Sequence, residues 1–115
     1  MKIVKDYVSI GELREMAKEE FGDVIKAVVD IDQEIMAIGG ELHADEEALL
    51  TEEADSKREY TCGINLRLEK FGTEEFVEFD SMINIKPSLG NRSRGVENSE
   101  IREKIKAIVD KKVLK

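Results

Sequence analysis

Residues that build covalent or metal frameworks are nearly missing from this sequence. It has one cysteine, Cys62, one histidine, His43, one proline, Pro87, and no tryptophan. A single thiol excludes an internal disulfide and any cluster of cysteine ligands, which fits a reducing compartment. A single histidine leaves the usual zinc sites incomplete, and no spacing in the chain calls for a metal or a cofactor. Nowhere do about 18 apolar residues follow one another, as a membrane span needs. The start, MKIVKDYVSIGEL, lacks the apolar run of a signal peptide, so a cytoplasmic protein with no membrane partner is expected. Positive charge is also in deficit: 18 Lys and Arg face 26 Asp and Glu, a net charge of −8. Such a balance repels phosphate backbones, so nucleic acid is not an expected partner.

What is present is a chain of 115 residues with 41% hydrophobic and 38% charged positions. That length fits one domain, 1–115, with a real core. The surplus of Glu and Lys has the composition of a protein from a hot environment. Ser9 and Glu12 have capping-box spacing before a helix whose inner face is Ile10, Leu13, Ala17 and Phe21, with Gly22 to end it. Residues 24–40 read as a hairpin turning at Asp32 and Gln33, with Ile25, Ala27, Val29 and Ile31 on the same face as Met36 and Ile38. Over 44–53 helix-forming residues compete with the alternation of Leu42, Ala44, Ala48 and Leu50; the alternation points to a strand. Tyr60, Cys62, Ile64, Leu66 and Leu68 alternate cleanly as a further strand. Val77, Phe79, Ser81, Ile83 and Ile85 do so again, with Glu78, Asp80 and Asn84 on the other side and Pro87 closing the run. A last helix starts near Asn98 or Ser99, buries Ile101, Ile105, Ile108 and Val109, and carries its lysines late. The fold class is therefore α+β: an antiparallel meander of about four to five strands with the N- and C-terminal helices packed on one face.

The runs GGELHADEEALL, GINL, EFDSMINIKPS and GNRSRGVE resemble a family of small conserved prokaryotic proteins of unknown function, and the likeness covers almost the whole chain. It implies no substrate, partner or catalytic residue, so function must be sought in the residues themselves.

The stretch 87–97 is long for a loop and holds Asn91, Arg92, Ser93 and Arg94 between Gly90 and Gly95. Its amides and two guanidinium groups, near the start of the last helix, have the parts of an anion site. In so acidic a chain the ordinary use of each arginine is to pair with a carboxylate of its own protein. Arg92 and Arg94 project in opposite directions, so one is expected to face Asp80 or Asn84 and anchor the loop while the other stays outward as the binding group. His43 and Asp45, beside Glu46 and Glu47, form the one cluster with acid–base character. Asp80 and Asn84, with Glu78, fall on the same side as Asn65 and Arg67, a polar patch on a sheet face expected to be uncovered. Cys62 falls on the apolar side. Two functions follow: a non-catalytic or regulatory domain that binds a small anion or a second copy of itself, or a small hydrolase or phosphate-ester-processing enzyme with an arginine-lined oxyanion site. They separate on whether His43, Asp80 and the arginine loop meet in one pocket.

Overall fold

A computed structural model describes residues 1–19 and 22–115 of the chain. Two short strands come first, β1 (Lys2–Val4) and β2 (Val8–Ser9). Ser9 then caps α1 (Ile10–Lys18), its hydroxyl accepting the Glu12 amide at 3.0 Å and so satisfying one of the orphan donors of the first turn. Ile10, Leu13 and Ala17 form the buried face of α1; Phe21, expected on that face, lies outside the described residues. The hairpin follows as β3 (Val24–Asp30) and β4 (Ile35–Ile38), with Val29 opposite Met36 and Ala27 opposite Ile38. The Asp30 carboxylate accepts the amides of Asp32 and Gln33 at 2.9 and 3.0 Å, which closes the turn between the strands.

After the hairpin comes α2 (His43–Ala54), then β5 (Thr61–Arg67) and the short β6 (Val77–Glu78). The chain finishes with α3 (Ser99–Lys112), capped by the Asn98 side chain on the amides of Glu100 and Ile101, and β7 (Val113–Leu114). The sheet order is β1-β4-β3-β5-β6 with every neighbouring pair antiparallel, while β2 and β7 form a separate parallel pair. Strand β5 lies beside β3 rather than β4 because α2 carries the chain back across the sheet. On one face Ile25, Ala27, Val29, Met36, Ile38, Ile64 and Leu66 bury the terminal helices α1 and α3, as the sequence predicts.

Three expectations are corrected, two of them at α2 and one after β6. Residues 44–53 are helix, not strand. The alternating Leu42, Ala44 and Ala48 are all exposed, and the inner face is His43, Glu46, Glu47 and Leu50, spaced by three, four and seven. Helix α2 and Ile83 cover Val28, Ile35 and Ala37, so the second sheet face is not the uncovered one expected to meet a second copy. Phe76 is buried in the main core, edge to face with Phe71 at 5.2 Å between ring centres.

The third correction is that strand pairing stops at Glu78. Residues 82–84 form a 3-10 turn capped by Ser81, which leaves Ile85 exposed and buries Ser81 and Asn84. In place of a strand, the Asn84 side chain pairs with Gly63 of β5: its Oδ1 accepts the Gly63 amide at 2.8 Å and its Nδ2 donates to the Gly63 carbonyl at 2.9 Å. The same Nδ2 donates to the Arg94 carbonyl at 2.9 Å, so one buried amide joins the sheet edge to the 87–97 loop. Asn84→Ala would remove the partner of the Gly63 amide and carbonyl, a loss of about 3 kcal/mol. Urea melts of both proteins measure it, and a loss below roughly 0.5 kcal/mol would contradict this role for Asn84.

Candidate functional site

His43 is the first residue of α2, and the helix sets it against β5, with Nε2 2.8 Å from the Ile64 carbonyl. A carbonyl oxygen only accepts, so Nε2 carries the proton and the lone pair is left on Nδ1. Burial pulls the imidazole below its ordinary value and outweighs the Ile64 carbonyl and the Asp80 carboxylate, which raise it; Lys26 and Arg94 add to the lowering. His43 is therefore a neutral base at neutral pH.

This close approach depends on Gly63. A Cβ there would stand 2.5 Å from the Ser81 hydroxyl oxygen and 3.1 Å from His43 Cγ, so a side chain at this position would displace both residues. Ser81 Oγ accepts the Ile83 amide at 3.3 Å, a bond that does not use the hydroxyl proton. Beside it, the Arg94 guanidinium donates from Nε to Asp80 Oδ1 at 2.6 Å. Asn65 donates to Glu78 at 2.9 Å and to the Asp80 carbonyl at 3.3 Å, and Arg67 forks onto Glu78 at 2.9 and 2.7 Å. Together His43, Asn65, Asp80, Ser81, Arg94 and Lys26 line one cavity of about 330 Å³.

The remaining residues singled out in the sequence lie elsewhere. Asn91 donates to the Asn84 and Gly95 carbonyls, both at 2.7 Å, and accepts the Glu97 amide at 2.8 Å. Glu97 in turn accepts the amides of Arg92 and Ser93 at 2.7 and 3.0 Å, which holds its carboxyl below the ordinary value. Asn84, Asn91 and Ser93 thus shape the loop, whose apparent irregularity conceals a dense set of side-chain to backbone bonds. Arg92 is exposed, and its charge acts on the neighbouring Glu97 carboxylate. The two arginines differ: Arg94 is tied to Asp80, and Arg92 faces outward. Asp45 is exposed on the outer side of the first turn of α2.

The sequence reading missed Lys26, Ser81 and Gly63 in this site; Glu46 and Glu47, named there beside His43, turn out to be buried next to it. Lys26 and Ser81 sit in alternating stretches that read as ordinary strand, and Gly63 reads as one more outward residue. Positions 43, 46, 47 and 50 do carry a signal, a helical stripe, but its polar composition disguises an inner face.

The match to a family pattern extends over residues 2–112. The chain belongs to DUF5674, a family of proteins of unknown function. All the cavity residues fall inside the DUF5674 match. No curated protein and no solved structure matches the chain. Among the described residues no helix is long and apolar enough to cross a membrane, and no three His, Cys, Asp or Glu side chains converge as metal ligands would.

The two buried glutamates of α2 behave differently. Glu47 is ion-paired to Arg58 at 3.2 Å and accepts the Thr61 hydroxyl. Glu46 is fully buried, accepts only the Gly40 amide at 3.0 Å, and its Oε1 has no partner among the described residues. Burial pushes the Glu46 carboxyl from 4.5 up to about 9, against the pull of the Gly40 amide. The folded chain keeps this proton over a range in which the unfolded chain has released it. The stability that Glu46 contributes is complete below pH 4.5 and is lost as pH rises toward 9, with a limiting slope of about 1.4 kcal/mol per pH unit. Glu46→Gln, which keeps the neutral shape, should match the native chain at pH 4.5 and exceed it in stability increasingly up to pH 8. Parallel denaturation curves across that range would exclude a protonated Glu46.

Proposed function

We propose that the chain is a binding domain for a small molecule bearing a phosphate or carboxylate group, held in the cavity between α2, β5 and the arginine loop. The supporting observation is the convergence of His43, Asn65, Asp80 and Arg94, from four separate segments, on one concavity. Arg94 supplies the cavity with a guanidinium, a planar donor group suited to the oxygens of a phosphate or carboxylate. The Asp80 pair holds the Arg94 guanidinium through Nε, so its other N–H groups keep the fixed fork that suits two oxygens of one ligand. Asn65 and the Ser81 hydroxyl add neutral polar groups to the same wall.

A second reading, acid–base processing of a phosphate ester, is favoured by one observation: the tautomer of His43 is set by the Ile64 carbonyl, which makes Nδ1 a defined proton acceptor in a cavity that also holds Arg94. That convergence is the condition on which the enzymatic reading depends.

His43 is the chain's single histidine, so its ring protons give an unambiguous NMR signal. Titrated with acid, that signal should show a midpoint below 6.5, because the folded chain favours the neutral ring. The stability linked to it is present above 6.5 and declines as pH falls. Inorganic phosphate should move the same resonances saturably, and Arg94→Ala should weaken the effect by roughly tenfold, the worth of one charged hydrogen bond. Resonances unmoved by high phosphate would rule out the anion site. Turnover of p-nitrophenyl phosphate that disappears in His43→Ala would establish the enzymatic reading, and its absence in the native chain would count against it.

A further inference from the structure

On the α1 and α3 side of the sheet, a second cavity of about 200 Å³ lies under the same loop. Its apolar wall is Ile31, Cys62, Val96 and Ile101, all packed in or against the main core. Most of the polar groups around it are already used. The Asn84 and Asn91 amides bond to backbone, Asn98 caps α3, and Glu97 holds the Arg92 and Ser93 amides.

Lys86 is the exception. It is half-buried at the cavity wall and donates to the Thr61 carbonyl, a neutral acceptor, and among the described residues no carboxylate is ion-paired to it. Burial pulls the ammonium below its ordinary value, while Cys62 and Glu47 raise it and Arg58 lowers it. Glu47 is itself committed to Arg58 and Thr61. The carboxylates that line the cavity are Glu59, an exposed residue whose charge water and salt screen, and Glu97, which already holds the Arg92 and Ser93 amides. A half-buried ammonium at the edge of an apolar wall, whose neighbouring carboxylate Glu47 is already paired elsewhere, can accept a further anion carried on a hydrocarbon body.

We propose that this cavity binds a small monocarboxylate, with its carboxylate on Lys86 and its hydrocarbon chain against Ile31, Cys62, Val96 and Ile101. An apolar cavity of roughly 150 Å³ accommodates benzene, so this one suits a ligand of about eight heavy atoms. Its size and apolar wall distinguish it from the polar His43 cavity on the other face, and the two sites stand or fall separately.

The probes are hexanoate and its neutral counterpart 1-hexanol, followed by the methyl resonances of Ile31, Val96 and Ile101. Hexanoate should move these methyls and bind the native chain roughly tenfold or more tightly than 1-hexanol, as one charge-assisted pair implies. Lys86→Met keeps the aliphatic stem and should erase that difference. Across the straight-chain series from acetate to decanoate, affinity should peak near hexanoate. Hexanoate that leaves the methyls unmoved, equal affinity for acid and alcohol, or affinity that rises without limit to decanoate would each overturn the proposal. The acid-to-alcohol comparison and the length series use the native chain, so they decide the matter even if the Lys86 variant fails to fold.

Discussion

The pairing of the Asn84 side chain with Gly63 is the contact on which both cavities depend. A strand beside β5 would have satisfied the Gly63 amide and carbonyl with backbone, and would have laid a flat edge across the region where the His43 cavity now opens. Asn84 supplies the same donor and acceptor from one side chain, so the chain itself is free to turn at Ser81–Asn84 and leave the sheet. Its Nδ2 also reaches the Arg94 carbonyl, which Ser81 supports from the backbone with its own amide at 2.9 Å. One buried amide thus ends the sheet, positions Ser81 and fixes where Arg94 emerges. Aspartate or leucine could not do the same: the first lacks the donor, and the second would leave two backbone groups without partners in a buried site.

The polar inner face of α2 is the second constraint, and it is expensive. A stripe of His43, Glu46, Glu47 and Leu50 against a sheet forgoes the apolar burial that three more aliphatic residues would provide, on the order of 2 kcal/mol for each side chain. Glu47 recovers part of this through Arg58 and Thr61, and His43 through the Ile64 carbonyl. Glu46 recovers least, with one amide and a neutralised carboxyl. Stability alone would favour leucine or alanine at these positions.

How much of this is legible in the sequence depends on whether a residue's role is local. Ser9 and Asn98 act on amides two or three positions away, and both caps are readable from the chain. The β3–β4 hairpin follows from alternation and a short polar turn. Helix α2 is misread because periodicity is judged by apolar residues, and here the inward positions are charged while Leu42 and Ala48 point to solvent. The run after Val77 is misread for a related reason: Phe79, Ser81, Ile83 and Ile85 alternate, yet a partner 21 residues away, between Asn84 and Gly63, decides where the strand ends. Candidate residues His43, Asp80, Asn65 and Arg94 are identifiable by type, but their meeting is a tertiary fact. Ser81 and Gly63 carry no local mark at all.

The arginine loop explains why such sites can be built on an irregular segment. Loops usually bind at an entropic cost, because a mobile chain must be ordered when the ligand arrives. Here the ordering is complete beforehand: Asn91 bonds to three backbone carbonyls of its own neighbourhood and to the Glu97 amide. Glu97 gathers two further amides, and Lys86 and Asn91 exchange a pair of backbone bonds at the loop's base. A segment held in this way presents Arg94 to one cavity and Val96 to the other from a single rigid frame. The bonds that make the loop rigid also consume the amides that an anion-binding nest would need. The anion contacts proposed above therefore rest on charged side chains, Arg94 on one side of the sheet and Lys86 on the other, rather than on the glycine-flanked backbone between them.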